Sequence, residues 1–130
     1  MEQKDKDLLL QDLCARLPYK VKASYYGAEE ECECWDEVEG IVNDYVEIGQ
    51  YGLPIEEVKP YLFPLSSMTE EQKTELNDTL IQLELKAINN EIEHHKIAEF
   101  EIDFYNKNMF DYRGLIEKGL AIDVTGKNIY

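Results

Sequence analysis

Basic residues are scarce in this sequence. Its 130 residues include 13 Lys and Arg against 28 Asp and Glu, which gives a formal net charge of -15 at pH 7. So large an excess of carboxylate repels nucleic-acid phosphate and anionic lipid, so the chain is not expected to bind nucleic acid or a membrane surface directly. The favoured partner is a basic protein surface.

Long apolar runs are missing too. The run Leu8–Leu10 near the start is too short for a signal peptide, and no later run could span a bilayer. The odd number of cysteines, 3, does not form a disulfide framework, which fits a reducing compartment. A cytoplasmic location is therefore expected.

Motifs for catalysis and cofactor binding are lacking. The sequence has no phosphate-binding glycine loop, no dinucleotide fingerprint, no zinc-protease motif and no serine-hydrolase elbow. We therefore predict no catalytic residue and no cofactor, and we favour a protein that is not an enzyme.

Two cysteines and two histidines could in principle bind a metal ion. Cys32 and Cys34 are followed far downstream by His94 and His95, which is not a usual zinc-ligand spacing. On a strand the two cysteines would face the same side, and one side of a small sheet is core. No metal site is predicted, and the cysteines are expected to be buried or incidental.

The sequence pattern predicts a single α+β domain over residues 1–130. A helix is expected over 1–18, a β part over 19–66, and a helical part with a C-terminal turn over 67–130. The first helix is predicted to bury the stripe Leu10, Leu13, Cys14 and Leu17.

The β part is predicted from alternation and turn residues. Val21, Ala23 and Tyr25 alternate with polar residues, and Asn43-Asp44 separates two β-rich arms as a hairpin turn would. Proline residues restrict the last segment to an edge strand and extended chain. A small bent antiparallel sheet or an SH3-like barrel is expected. The prolines are Pro54, Pro60 and Pro64.

The helical part is predicted from a cap and two apolar rows. A helix should begin near Thr69, where capping boxes overlap, and Asn89-Asn90 should kink or break it. Residues 97–109 fit helix and strand alike, and we favour helix because they continue a helical region. The two rows are Leu76, Leu80, Leu83 and Ala87, and Ile81, Leu85, Ile88 and Ile92.

Three segments carry a resemblance to a known family. The segments LLLQDLCARLPY, IEEVKPYLFPLSSMTEEQ and DFYNKNMFDYRGLIEKGLAID resemble a family of short, uncharacterised proteins from gut Bacteroidetes and their phages. The resemblance covers roughly half of the chain and implies no biochemical activity. Residues 29–47 and 84–99 do not match the family pattern.

An acidic block is the main candidate for partner binding. Between Ala23 and Val58 the chain has eleven acidic residues and no Lys or Arg. Closely spaced carboxylates attract basic surfaces over a Debye length of about 8–10 Å. The alternative is a solvated loop that binds no partner and only prevents aggregation at a sheet edge. The candidate partner-binding residues are Glu29, Glu30, Glu31, Glu33, Asp36, Glu37 and Glu39.

A second candidate is the segment FDYRGLIEKGLAID near the C-terminus. Gly114 and Gly119 are predicted to bracket one short helical turn. Arg113 is expected to pair with a carboxylate or with free helix carbonyls, and Tyr112 to pack with its hydroxyl at the surface. The pair is interpreted as a structural latch, with an exposed recognition patch as the alternative.

Three classes of function remain open on the sequence alone. We favour a non-enzymatic acidic binding module, in one version a nucleic-acid mimic of phage or mobile-element origin. The alternative is a small assembly protein that forms homo-oligomers through its helical apolar faces. A hydrolase or nuclease comes third, because the abundant carboxylates have little discriminating value.

Overall fold

A computed structural model describes residues 1–130, and the fold is α+β as predicted. An N-terminal helix precedes a bent sheet, and two helices and a C-terminal turn follow it. Short 3-10 turns stand at Leu17–Tyr19, Ile55–Glu57 and Leu65–Ser67. The main elements are α1 (Gln3–Arg16), β1 (Lys22–Gly27), β2 (Cys32–Val42), β3 (Tyr45–Ile48), β4 (Tyr51–Pro54), β5 (Lys59–Pro64), α2 (Glu70–Ile88), α3 (His95–Lys107), β6 (Phe110–Asp111) and β7 (Ile122–Asp123).

The sheet has the strand order β4-β3-β2-β1-β5-β6, with β7 also paired to β5. Strands β1 to β5 are antiparallel throughout. The long strand β2 pairs with β1 and then with β3, and its register shifts between Val38 and Gly40. The shift bends the sheet. The two-residue strands β6 and β7 add to β5 in parallel, so the whole sheet is mixed.

The predicted hairpin turn is confirmed between β2 and β3. Val42 pairs with Tyr45 across Asn43 and Asp44, and Asn43 has a φ of 56°. Asparagine tolerates this left-handed conformation better than most residues.

Strand β5 is not the edge strand that its prolines predict. It lies between β1 and the short strands β6 and β7. The short strands cover only Tyr61–Pro64, so Pro60 has just one neighbouring strand, where it pairs with Ala23. Pro60 therefore still occupies a local edge position, which suits a residue without an N–H donor.

Helix α1 is confirmed, and its predicted stripe is confirmed in part. Leu13 is buried and Leu10 and Leu17 pack against the main core, whereas Cys14 is exposed. The buried side also includes two charged residues, Asp12 and Arg16, which the apolar positions alone do not reveal.

The helical part follows the prediction closely. Thr69 caps α2 with Gln72 in a capping box, and α2 ends at Ile88, just before Asn89 and Asn90. Residues 95–107 form α3, so the ambiguous segment is helical. Only the first apolar row of α2 reaches the core, through Leu76 and Ala87.

Two apolar clusters hold these elements together. The larger one joins α1, the sheet and the C-terminal turn, and includes Leu9, Val46, Leu62 and Leu115. The smaller one joins α2, α3 and β6 through Leu76, Phe104 and Phe110.

Candidate functional site

The acidic block falls on two elements. Glu29, Glu30 and Glu31 lie in the turn between β1 and β2, and the remaining four residues lie on β2. Six of the seven side chains are exposed, and only Glu37 is half-buried. Glu31 has a φ of 56°, and its N–H donates to the Gly27 carbonyl at 2.8 Å, which closes the turn.

Part of this turn is held by the neighbouring β3–β4 connection. The Gln50 side-chain amide donates to Glu29 Oε2 at 2.8 Å. The Tyr51 hydroxyl donates to Glu30 Oε2 at 2.8 Å and lies 3.0 Å from the Glu29 N–H, from which it accepts a bond. Two carboxylates of the block are therefore positioned rather than free.

The two-residue period of β2 separates the rest of the block. Three residues of β2 pair with outward residues of β1: Glu33 with Tyr26, Trp35 with Ser24 and Glu37 with Lys22. The β1 residues between these pairs, Ala23 and Tyr25, point into the core. Successive side chains of a strand point to opposite faces, so the paired residues project outward. Asp36 is exposed and its Oδ1 accepts a bond from the Glu37 N–H at 2.7 Å. Glu39 lies at the bend of β2.

Exposed aromatic rings lie among these outward carboxylates. The Tyr26 side chain is 58% exposed and Trp35 is 49% exposed. The Trp35 ring lies 6.1 Å from the Tyr61 ring on β5, and Lys22 Nζ lies 5.4 Å from the Trp35 centroid. We name the outward surface formed by Lys22, Tyr26, Glu33, Trp35, Glu37 and Tyr61 the Trp35 face.

A cleft of about 500 Å³ opens beside the Trp35 face. Its walls carry two tyrosine side chains together with acidic and basic side chains. The Ser24 hydroxyl donates to Glu33 Oε2 at 3.3 Å and fixes one wall. The lining includes Ser24, Tyr26, Glu33, Glu56, Glu57 and Lys59.

Tyr26 and Trp35 were not predicted as site residues from the sequence. The signal was present, because Tyr26 and Trp35 occupy outward positions of the alternating pattern. This pattern identifies the site only when the pairing of β1 with β2 is known, because that pairing places Tyr26 opposite Glu33.

Arg113 contacts a buried carboxylate. Its Nη1 lies 2.8 Å from Asp12 Oδ1, and its side chain is only 12% exposed. Arg16 Nε lies 3.0 Å from both oxygens of the same Asp12, and Arg16 Nη2 donates to the Phe110 carbonyl at 2.6 Å. Helix α1 is thereby joined to the C-terminal segment.

Tyr112 packs under Arg113, but its hydroxyl is not at the surface as predicted. The Arg113 guanidinium carbon lies 4.3 Å from the Tyr112 ring centroid. The Tyr112 hydroxyl is buried and has no hydrogen-bond partner. The expectation is wrong because both arginines and Tyr105 pack on the Tyr112 ring and bury it.

The turn between Gly114 and Gly119 forms as predicted. The Leu120 N–H donates to the Leu115 carbonyl at 2.9 Å, and both glycines have positive φ. The Asp111 carboxylate accepts bonds from the N–H groups of Leu115 and Ile116, each at 2.9 Å. Asp111 therefore caps this turn, a role that the sequence analysis did not assign.

The two cysteines on β2 share one side of the strand, as predicted, but they are not buried. Cys32 is exposed and Cys34 is half-buried against the larger core. No group of three or more His, Cys, Asp or Glu side chains is arranged to hold a metal ion.

Comparison with known proteins finds no relative of this chain. No protein-family model, curated protein or solved structure matches the chain. None of its helices combines the length and the apolar character needed to cross a membrane.

Proposed function

We propose that the protein is a non-enzymatic binding module that contacts a basic protein partner through the Trp35 face. The observation that carries this proposal is the pair of exposed rings, Tyr26 and Trp35, flanked by Glu33 and Glu37. Large exposed aromatic side chains supply most of the binding free energy in many protein interfaces.

The carboxylates indicate that the partner surface is positively charged. Glu33 and Glu37 border the rings, and the acidic turn at residues 29–31 extends the negative surface. Complementary charge steers a basic partner to the face and raises the association rate more than it raises the final affinity. The rings then provide the contact that persists at raised salt.

One version of this function is mimicry of a nucleic acid. In this version the partner is a nucleic-acid-binding protein, which the module inhibits because its carboxylates occupy the site of the phosphates. The net charge of -15 supports it. The family resemblance adds a phage or mobile-element origin and a bacterial cytoplasm as the setting.

The test is capture of a partner from a nuclease-treated Bacteroidetes lysate by wild type, Trp35→Ala and Tyr45→Ala. Tyr45 is the matched control, because it is 54% exposed and lies on β3 outside the Trp35 face. We expect Trp35→Ala to lose a basic partner that wild type and Tyr45→Ala retain. Equal capture by all three proteins would contradict a site centred on Trp35.

A second candidate function is assembly of a homo-oligomer. The observation that favours it is the outer row of α2, where Ile81 and Leu85 are more than half exposed and Ile88 is 71% exposed. A row of uncovered apolar side chains on one helix is a common self-association surface. The repulsion between copies of so acidic a chain opposes it.

A further inference from the structure

Cys32 and Cys34 form an accessible pair of thiols. Their Sγ atoms are 3.9 Å apart, at the end of β2 that adjoins the acidic turn. Both are free cysteines. Cys34 shares the core side of the strand with the inward residues, so the thiols lie on the opposite side of the sheet from the Trp35 face.

Gly27 leaves room for this pair. A Cβ added at Gly27 would overlap Glu30 Oε2 and would stand 2.9 Å from Cys34 Sγ. The backbone of Gly27 does not have a positive φ, so its conformation does not require glycine. The absence of a side chain at Gly27 instead leaves open space beside it. The Glu30 carboxylate and the Cys34 thiol both occupy that space.

The number of ligands limits which metal ion the thiols could hold. A structural zinc ion needs four ligands, and no third residue completes the set here. Soft thiolate ligands select ions such as copper(I). A metal–thiolate bond is about 2.3 Å long, so two sulfurs 3.9 Å apart can both contact one ion in a bent arrangement.

The charge around the thiols favours a cation. The acidic turn at residues 29–31 adjoins the pair. Its carboxylates attract metal cations and repel anionic disulfides such as oxidised glutathione.

We propose that Cys32 and Cys34 bind one soft monovalent cation of the copper(I) class between their two sulfurs. Two S–H protons leave to solvent as two copper–sulfur bonds form, and neither copper nor sulfur changes its oxidation state. The site is independent of partner binding at the Trp35 face.

The test is an anaerobic titration of the reduced protein with copper(I) against a coloured copper(I) chelator. We expect one ion per chain in the wild type. Cys32→Ser and Cys34→Ser should each lower the affinity by about 10²–10⁴-fold, the range that a second tethered ligand adds. Cys14→Ser is the control, because Cys14 is an exposed single thiol on α1.

Three results would overturn the site. They are less than one copper(I) per chain, a loss smaller than about tenfold in either β2 variant, or an equal loss in Cys14→Ser. Thermal melts of the metal-free variants separate misfolding from loss of a ligand, and Cys32→Ala and Cys34→Ala replace any serine variant that melts early. Zinc at the same concentration should not displace the copper(I), and displacement would also overturn the two-sulfur site.

Discussion

At the scale of residues, one buried carboxylate organises the charges inside the protein. The chain has two arginines, and both of them contact Asp12, which is fully buried. Arg16 also donates to the carbonyls of Phe110 and Tyr105. A buried charge is tolerated only when it is paired and hydrogen-bonded. Removal of one of these three side chains therefore leaves a buried charge without one of its partners, which lowers the free energy of unfolding.

Replacement of Arg113 should therefore lower stability. Arg113→Ala is expected to reduce the free energy of unfolding by roughly 1–3 kcal/mol, because Asp12 loses one of its two partners. Arg113→Lys should restore only part of this, since an ammonium group cannot reproduce a planar guanidinium stacked on Tyr112. Denaturant melts of both variants beside wild type measure the difference.

The exposed pair Lys73 and Glu70 is the matched control. Their separation is 3.3 Å, but both side chains are well exposed. Lys73→Ala should change the free energy of unfolding by less than about 0.5 kcal/mol. An equally small effect of Arg113→Ala would show that Arg113 does not act as a latch and would favour a binding role for Tyr112 and Arg113.

The partner of Arg113 could be predicted by type but not by position. An arginine in an acidic chain is expected to contact a carboxylate, whereas Asp12 is 101 residues away in the sequence. Local periodicity contains no information on such a distance. The same limit hid part of the buried side of α1, because Asp12 and Arg16 resemble solvent-exposed residues until their partners are known.

At the scale of elements, helix α2 shows which features are local. Its start at the Thr69 cap and its end before Asn89 follow from nearby residues and were predicted. Its burial was predicted only in part, because both apolar rows look equally suited to the core. Contact with α3 and β6 covers Leu76, while Ile81, Leu85 and Ile88 remain exposed.

The exposed row of α2 makes the assembly alternative testable. If copies associate through it, Leu85→Glu should convert a larger species to a monomer in sedimentation, because a charge would enter an apolar contact. We expect the wild type to sediment as a monomer at low salt, since the chains repel one another. A defined larger species that Leu85→Glu abolishes would favour assembly over partner binding.

At the scale of the whole molecule, the fold can be predicted from the sequence to a greater extent than the site can. The order of helix, bent sheet and helices follows from local periods, caps and turn residues, each of which depends on a few neighbours. The Trp35 face depends on pairing between β1 and β2, which brings Tyr26 opposite Glu33 and Trp35 beside Tyr61. The acidic block was visible as composition, but its division between a turn and two faces of a strand was not.

The most direct test of the proposed function compares two sets of charge changes of equal size. One protein carries glutamine at Glu30, Glu31, Glu33 and Glu37. The other carries Glu71→Gln, Glu75→Gln, Glu84→Gln and Asp78→Asn on α2, whose side chains are exposed. Both changes remove four negative charges, and thermal melts check that stability is preserved or raised in each.

The rate of association with the captured basic partner is measured for both proteins at low salt. The proposal predicts a loss of at least about tenfold for the β variant and little change for the α2 variant, because steering depends on charge near the contact surface. Equal losses would show that only the net charge matters, and no loss in the β variant would place the functional surface elsewhere.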